Sequence, residues 1–375
     1  MPGMTTAALR TAGIGLAAGA IAVTVVELLR PLGGREPLLD WEEVRGLARA
    51  RIGGRAVNSE RLELLGMEYE RLADEVREPL LEAVGGLPVG VSLPPFQALD
   101  RERWLDVNLG VLRQVMAPVV EASVVNRSRL TLLGKAGVDR YLASMLAFLG
   151  GRVLGQFDPQ LMGREPVQQS LYLVEPNVAA WEAKAGLEGY DLRRWLILHE
   201  LTHAWQFSAH PWLRDHLNTT LERLIELSVG GQQGDPLSRA VRVTVGAPAQ
   251  WRLVRRLQAT MSLIEGYGNL AMNMVGRRIL PSYERLEAAY EDRSGTRSPF
   301  EALLWRVTGL ELKMQQYRLG EAFASHIRDL YGMDVLNRVW EGPDTLPTLD
   351  ELRAPQRWYT RVVAPSGRPR LAGAH

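Results

Sequence analysis

The chain has 375 residues, 46% hydrophobic and 23% charged, an ordinary globular composition that excludes wholesale disorder, collagen and coiled-coil arrays. Lys and Arg number 44 against 43 Asp and Glu, a formal net charge of +1, so there is no global basic field and no nucleic-acid partner is expected. The absence of cysteine removes disulfides, thiolate zinc sites, iron–sulfur clusters and cysteine nucleophiles, so any metal must sit on His, Asp or Glu.

Residues 11–26 (TAGIGLAAGAIAVTVV) form an uncharged run, rich in Gly and Ala. A spanning helix needs about 20 apolar residues, a length reached only by extending to Leu29 through Glu27. Residues 1–30 are therefore expected to form an apolar helix. It either packs on another helix or anchors the chain in a membrane through residues 11–29; a cleaved signal is a third reading. The location that follows is cytoplasmic or membrane-associated. Residues 31–37 (PLGGREP) read as a linker.

Asp40 is placed to cap a helix with Glu42 and Glu43 in its first turn. Residues 59–84 read as one long amphipathic helix, with Leu62, Leu65, Tyr69, Leu72 and Val76 recurring at threes and fours. Residues 85–95 break the pattern. Asp100 caps a further helix through Trp104 and Met116, and residues 139–149 form another. Short β-type runs follow at 152–157 and 170–174, the second ended by Glu175-Pro176-Asn177. The helical pattern returns at Asp191 and holds nearly to Leu336, broken by turns at 230–236 and 294–299. The tail from Leu346 reads as an irregular wrap. The expected fold class is mainly α with a small β-sheet (α+β). A helical region at 31–150 packs with a metal-binding region at 151–375 as one unit.

Residues 191–207 (DLRRWLILHELTHAWQF) contain His199-Glu200-Leu201-Thr202-His203. Residues i and i+4 on a helix share a face, so both imidazoles can reach one metal ion. Glu200 lies at the flank of that face, where it can accept a proton from an activated water. Asp191 is a plausible N-cap, and Leu192, Trp195, Leu196 and Leu198 anchor the helix in a core.

A third ligand must come from elsewhere. Metzincins place a His six residues after the second motif His and a Gly between. Here those positions are Ala209 and Gln206, and His210 comes one residue late. Glu222 has a spacing known from one gluzincin class, but it and Glu226 sit in a plain amphipathic segment. Glu265 sits in SLIEGYGNLAMNMVG, with no other charged residue between Arg256 and Arg277. A carboxylate in such surroundings is costly unless paired or bound to metal. Glu265 is favoured over Glu222.

These stretches resemble the bacterial zincin-like proteins labelled zinc-dependent metalloproteases, or associated with biosynthesis of the deazaflavin coenzyme. The likeness rests on LLDWEEV near Trp41, GQFDP (155–159), LYLVEPN (171–177) and LHELTHAWQF (198–207). It continues with PWLRDHL (211–217), SLIEGYGNLAMN (262–273), KMQQYRLGEAF (313–323) and LPTLDEL (346–352). The resemblance implies a mainly helical zincin-like fold with zinc on His199, His203 and Glu265. The chain departs at Tyr267, where members usually carry His, and at Asn269 or Asn273, where they carry Asp. Such groups can orient ligands.

The expected activity is zinc-dependent hydrolysis of a peptide or protein substrate, with Glu200 as general base. Tyr317, Tyr267 and His326 are candidate oxyanion donors. The strand at 171–174 could hold an extended peptide by edge pairing. The rival reading is a non-catalytic zinc-binding scaffold or assembly factor. A third is a membrane-tethered accessory protein whose helical front half does the binding.

Overall fold

The computed structural model describes residues 39–54, 56–122, 129–161, 169–229, 236–295 and 310–364. The N-terminal apolar run and the turns at 230–235 and 296–299 lie outside the described residues. Among the described residues, no helix is long and apolar enough to cross a membrane.

Helix α1 (Trp41–Ile52) starts at Asp40, whose carboxylate accepts from the Glu42 and Glu43 amides. Helix α2 (Ser59–Val84) covers the expected amphipathic stretch and ends at Gly85, which adopts φ 100°. Strand β1 (Phe96–Leu99) follows, then α3 (Arg101–Ala122) and α4 (Arg129–Gly150). Asp100 accepts from the Arg103 amide at 2.8 Å, as its place before α3 anticipates. Strands β2 (Gly155–Asp158) and β3 (Ser170–Val174) complete a sheet of order β1-β3-β2. β3 runs parallel to β1, pairing Phe96 with Leu171, and antiparallel to β2, pairing Gly155 with Leu173.

That order corrects one expectation. The strand at 171–174 is hydrogen-bonded on both sides, so its edges are already used and it cannot take an added peptide strand. Glu175-Pro176-Asn177 end the strand as expected, but helix returns there and not first at Asp191. These residues end β3 by starting α5 (Glu175–Ala185), because a proline in the first turn has no amide to lose.

Helix α6 (Gly189–Ala209) carries the histidine motif. Its N-cap is Glu188, not Asp191: the Glu188 carboxylate accepts from the Tyr190 and Asp191 amides. Asp191 lies in the first turn and accepts from the amide and hydroxyl of Ser282. There follow α7 (Trp212–Val229), α8 (Pro236–Ile279), α9 (Tyr283–Gly295), α10 (Leu310–Tyr331) and α11 (Met333–Asn337), leading into a 3-10 turn (Arg338–Trp340). Through residue 364, where the described residues end, the tail is not an irregular wrap. It forms α12 (Leu349–Arg353), fixed by a Thr348–Glu351 capping box, and α13 (Pro355–Val362).

Two apolar cores flank the sheet. One joins α1, α3 and α4 through Val44, Trp104 and Leu142. The larger gathers α2, α6, α8 and α10 around Leu72, Leu198, Leu263 and Phe323. Helix α6 therefore lies in the larger core, buried from Asp191 through Phe207 except at Arg193 and Arg194.

Candidate metal centre

The face of α6 that carries His199 and His203 meets α8 where Glu265 projects. The ligand atoms of these three side chains all lie within 4.8 Å of one another, and all three residues are buried. The two Nε2 atoms are 3.1 Å apart with the rings nearly perpendicular, and a Glu265 carboxylate oxygen is 3.8 Å from His203 Nε2. Tetrahedral ligands at metal distances of about 2.0–2.1 Å would sit roughly 3.3 Å apart. The observed separations bracket that value, so the three groups could hold a metal ion.

The hydrogen-bond network fixes which nitrogen of His203 faces this point. The Gln206 amide nitrogen donates to the Ile264 carbonyl at 2.9 Å, and a carbonyl can only accept. The amide oxygen of Gln206 must then be the atom 2.8 Å from His203 Nδ1. Nδ1 carries the proton and donates it, which leaves the Nε2 lone pair directed at the cluster. Gln206 lies three residues after His203, on the same helix face, and is fully buried. From the sequence alone, Gln206 stands out only as the position where a metzincin would carry glycine. The signal for it is a polar side chain one turn after a motif histidine, between Trp205 and Phe207.

Glycines set how closely the elements approach. A Cβ at Gly268 would lie 3.1 Å from the His203 ring, so α8 can press against the imidazole. A Cβ at Gly320 of α10 would fall 1.7 Å from the Ser262 carbonyl oxygen, and one at Gly266 would fall 2.1 Å from the Gly320 carbonyl carbon. These glycines let α8 and α10 cross nearly backbone to backbone, immediately beside Glu265. Gly155 on β2 does the same for Glu200: an added Cβ would meet the Glu200 Oε1 at 3.0 Å and Leu173 at 2.8 Å. The fully buried Glu200 carboxylate thus lies against the sheet, in the space that β2 leaves open.

The alternatives fall elsewhere. Glu222 and Glu226 are exposed on α7. His210 caps the C-terminus of α6 and stacks on Trp340. Of the oxyanion candidates, Tyr267 is fully buried and donates to Asn337 Oδ1 at 2.7 Å, and burial pushes its phenol pKa up. His326 is exposed on α10, and the side chain of Tyr317 lies outside the described residues. Asn269 and Asn273 follow Glu265 at successive turns of α8. Their amides donate to the two oxygens of Glu321 at 3.2 and 3.1 Å, a bond that aspartate could not donate at these positions when ionised.

A profile described as zincin-like metallopeptidase matches residues 39–359. The chain is also similar to a crystal structure from Chloroflexus aurantiacus, described as that of a candidate hydrolase with a novel fold. The two share 33% identity and a TM-score of 0.65, over 86% of this chain and 98% of that one. No curated protein matches the chain.

Proposed function

The chain belongs to the zincin-like metallopeptidase family, and from that membership we propose that it is a zinc-dependent peptidase, with His199, His203 and Glu265 as ligands and Glu200 as general base. The observation that carries this reading is the convergence of two imidazoles and one carboxylate at a buried point, with His203 Nε2 left as a lone pair by Gln206. Two nitrogens and one oxygen, without thiolate, make a donor set that suits zinc and leaves a position open. A zinc ion held there supplies Lewis acidity, lowering the pKa of water toward neutrality and polarising a carbonyl oxygen.

The protein's own groups do the rest. Gln206 holds the His203 ring in one tautomer and orientation. Gly155 leaves the Glu200 carboxylate its place beside the motif. Glu200 accepts the proton of the attacking water on a carboxylate oxygen and returns it to the leaving nitrogen. Low exposure excludes bulk water, which strengthens each electrostatic contact. The substrate class is a peptide or protein.

One observation favours the second reading, a non-catalytic zinc-binding scaffold: His199, His203, Glu200 and Glu265 are each at most 2% exposed. The zinc-loaded full chain, incubated with an unbiased peptide library, separates the two. The peptidase reading requires cleavage, and Glu200→Gln should retain zinc while losing about 10²–10⁴-fold in rate. A zinc-loaded wild type that cleaves nothing supports the scaffold.

A further inference from the structure

Beside the metal centre, α10 carries a carboxylate that the proposed chemistry does not use. Glu321 is partly exposed, and its two oxygens accept from the Asn269 and Asn273 amides at 3.2 and 3.1 Å. The Tyr283 hydroxyl donates to the amide oxygen of Asn273, which keeps the Asn273 nitrogen turned toward Glu321. Other carboxylates in the hydrogen-bond networks of this fold are answered by arginine: Glu175 and Glu182 by Arg193, and Glu351 by Arg361. Among the described residues, Glu321 is answered only by two neutral amides, which solvate a charge without cancelling it. A carboxylate offers about four acceptor sites, so the pair of amides leaves room for a further donor.

Helix geometry puts this group next to the metal ligands. An added Cβ at Gly266, the residue after Glu265, would strike the Glu321 amide nitrogen, whereas one at Gly268 would meet the His203 ring. Successive residues of a helix step by about 100°. Viewed down α8 from Glu265, Gly268 lies roughly 60° to one side and Gly266 roughly 100° to the other, with Asn269 between them at roughly 40°. Helices α6 and α10 thus stand on either side of the face that carries Glu265 and Asn269, and Glu321 reaches that face from the α10 side.

We propose that Glu321 binds the ammonium group of a substrate's amino terminus, so that the site acts on the first or second residue of a chain. Side chains one turn apart have Cβ atoms about 5–6 Å from each other, and one extended residue spans about 3.3–3.6 Å. An ammonium group held at Glu321, one turn beyond Glu265, therefore stands within one or two residues of a carbonyl held at the cluster. A charged donor on a carboxylate makes the short, strong class of hydrogen bond, and the two amides fix the acceptor before the ligand arrives. A lysine side chain offers the same ammonium chemistry. That the ligand is a substrate rests on the peptidase proposal; that Glu321 binds an ammonium group does not.

Isothermal titration calorimetry of the zinc-loaded full chain at neutral pH compares L-leucinamide, N-acetyl-L-leucinamide and Nα-acetyl-L-lysinamide. L-leucinamide should bind at least about tenfold more tightly than its acetyl form, the factor expected of one hydrogen bond to a charged group. Glu321→Gln removes the charge at constant size and should abolish that preference. Glu321→Asp keeps the charge but withdraws it by one methylene, and should reduce the preference. Zinc content measured on each variant shows that the metal centre is intact. Equal affinity for L-leucinamide and its acetyl form, binding of neither, or a preference that survives in both variants would overturn the proposal. Binding of the lysine derivative in place of L-leucinamide would overturn the assignment to an amino terminus. Cleavage of the peptide library without ammonium selectivity overturns this proposal alone. Ammonium selectivity that depends on Glu321, in a protein that cleaves nothing, supports the amine site and refutes the peptidase reading.

Discussion

Replacing Gln206 with Leu tests how the histidine ligand is prepared. The substitution keeps approximate volume and helix propensity but removes both amide functions from a fully buried position. Two contacts disappear: the one to His203 Nδ1 at 2.8 Å and the one to the Ile264 carbonyl at 2.9 Å. Loss of the partner that sets a ligating imidazole's tautomer costs about 10–100-fold in metal affinity, or roughly 1.4–2.7 kcal/mol. Separately, each buried group left without its partner costs about 1–3 kcal/mol of folding stability. Gln206→Glu divides the two effects. Its carboxylate still accepts from Nδ1, so zinc affinity is retained better than in Gln206→Leu, but it faces the Ile264 carbonyl without a donor and loses stability. Zinc affinity is read by competition with a chromophoric chelator, and stability by urea unfolding of the metal-free protein. A Leu variant that binds zinc within about twofold of wild type would refute the tautomer argument.

Three further outcomes follow from the packing and the charges. Gly155→Ala forces a methyl against Glu200 and Leu173; turnover should fall while zinc stoichiometry holds, with overpacking costing about 1–3 kcal/mol in denaturant unfolding. Gly320→Ala drives its Cβ into the Ser262 carbonyl at the α8–α10 crossing and should cost about 3 kcal/mol or more in the same assay. Because the folded pKa of His210 is lowered to about 4, below an unfolded value of about 6.5, the unfolded chain binds the extra proton first. The stabilisation is complete above pH 6.5 and is lost as pH falls toward 4, so urea midpoints should decline over that window less steeply in His210→Phe than in wild type.

The parts of this architecture legible in the sequence are those written in long periodic segments. The 59–84 helix was readable because its apolar residues repeat over several turns and a left-handed glycine stops it. The convergence of His199, His203 and Glu265 was legible because HExxH fixes two side chains on one face, and because Glu265 stands alone in an apolar stretch. What escaped was short or set by tertiary contact. Four residues of β1 carry too little pattern to distinguish a strand from a loop, and only pairing with β3 defines them. Pro176 reads equally as a terminator or as the first turn of a helix. Which strand is central depends on the partners that β1 and β2 supply, and no local pattern of residues 170–174 encodes that. The helices of the tail are held by a capping box and by burial of Trp358 and Tyr359 against the larger core, contacts invisible in a proline-bearing segment. Gln206 and Gly155 act through partners distant in the chain, so their roles needed the fold.

The most direct test of the metal centre is zinc content, measured by elemental analysis on purified full-length wild type, Glu265→Ala and Glu222→Ala. Both residues are glutamates following the same motif, but Glu265 is 2% exposed beside the two histidines, whereas Glu222 is exposed on α7. The account predicts stoichiometric zinc in wild type and in Glu222→Ala, and its loss in Glu265→Ala. Zinc retained by Glu265→Ala and lost from Glu222→Ala would contradict it.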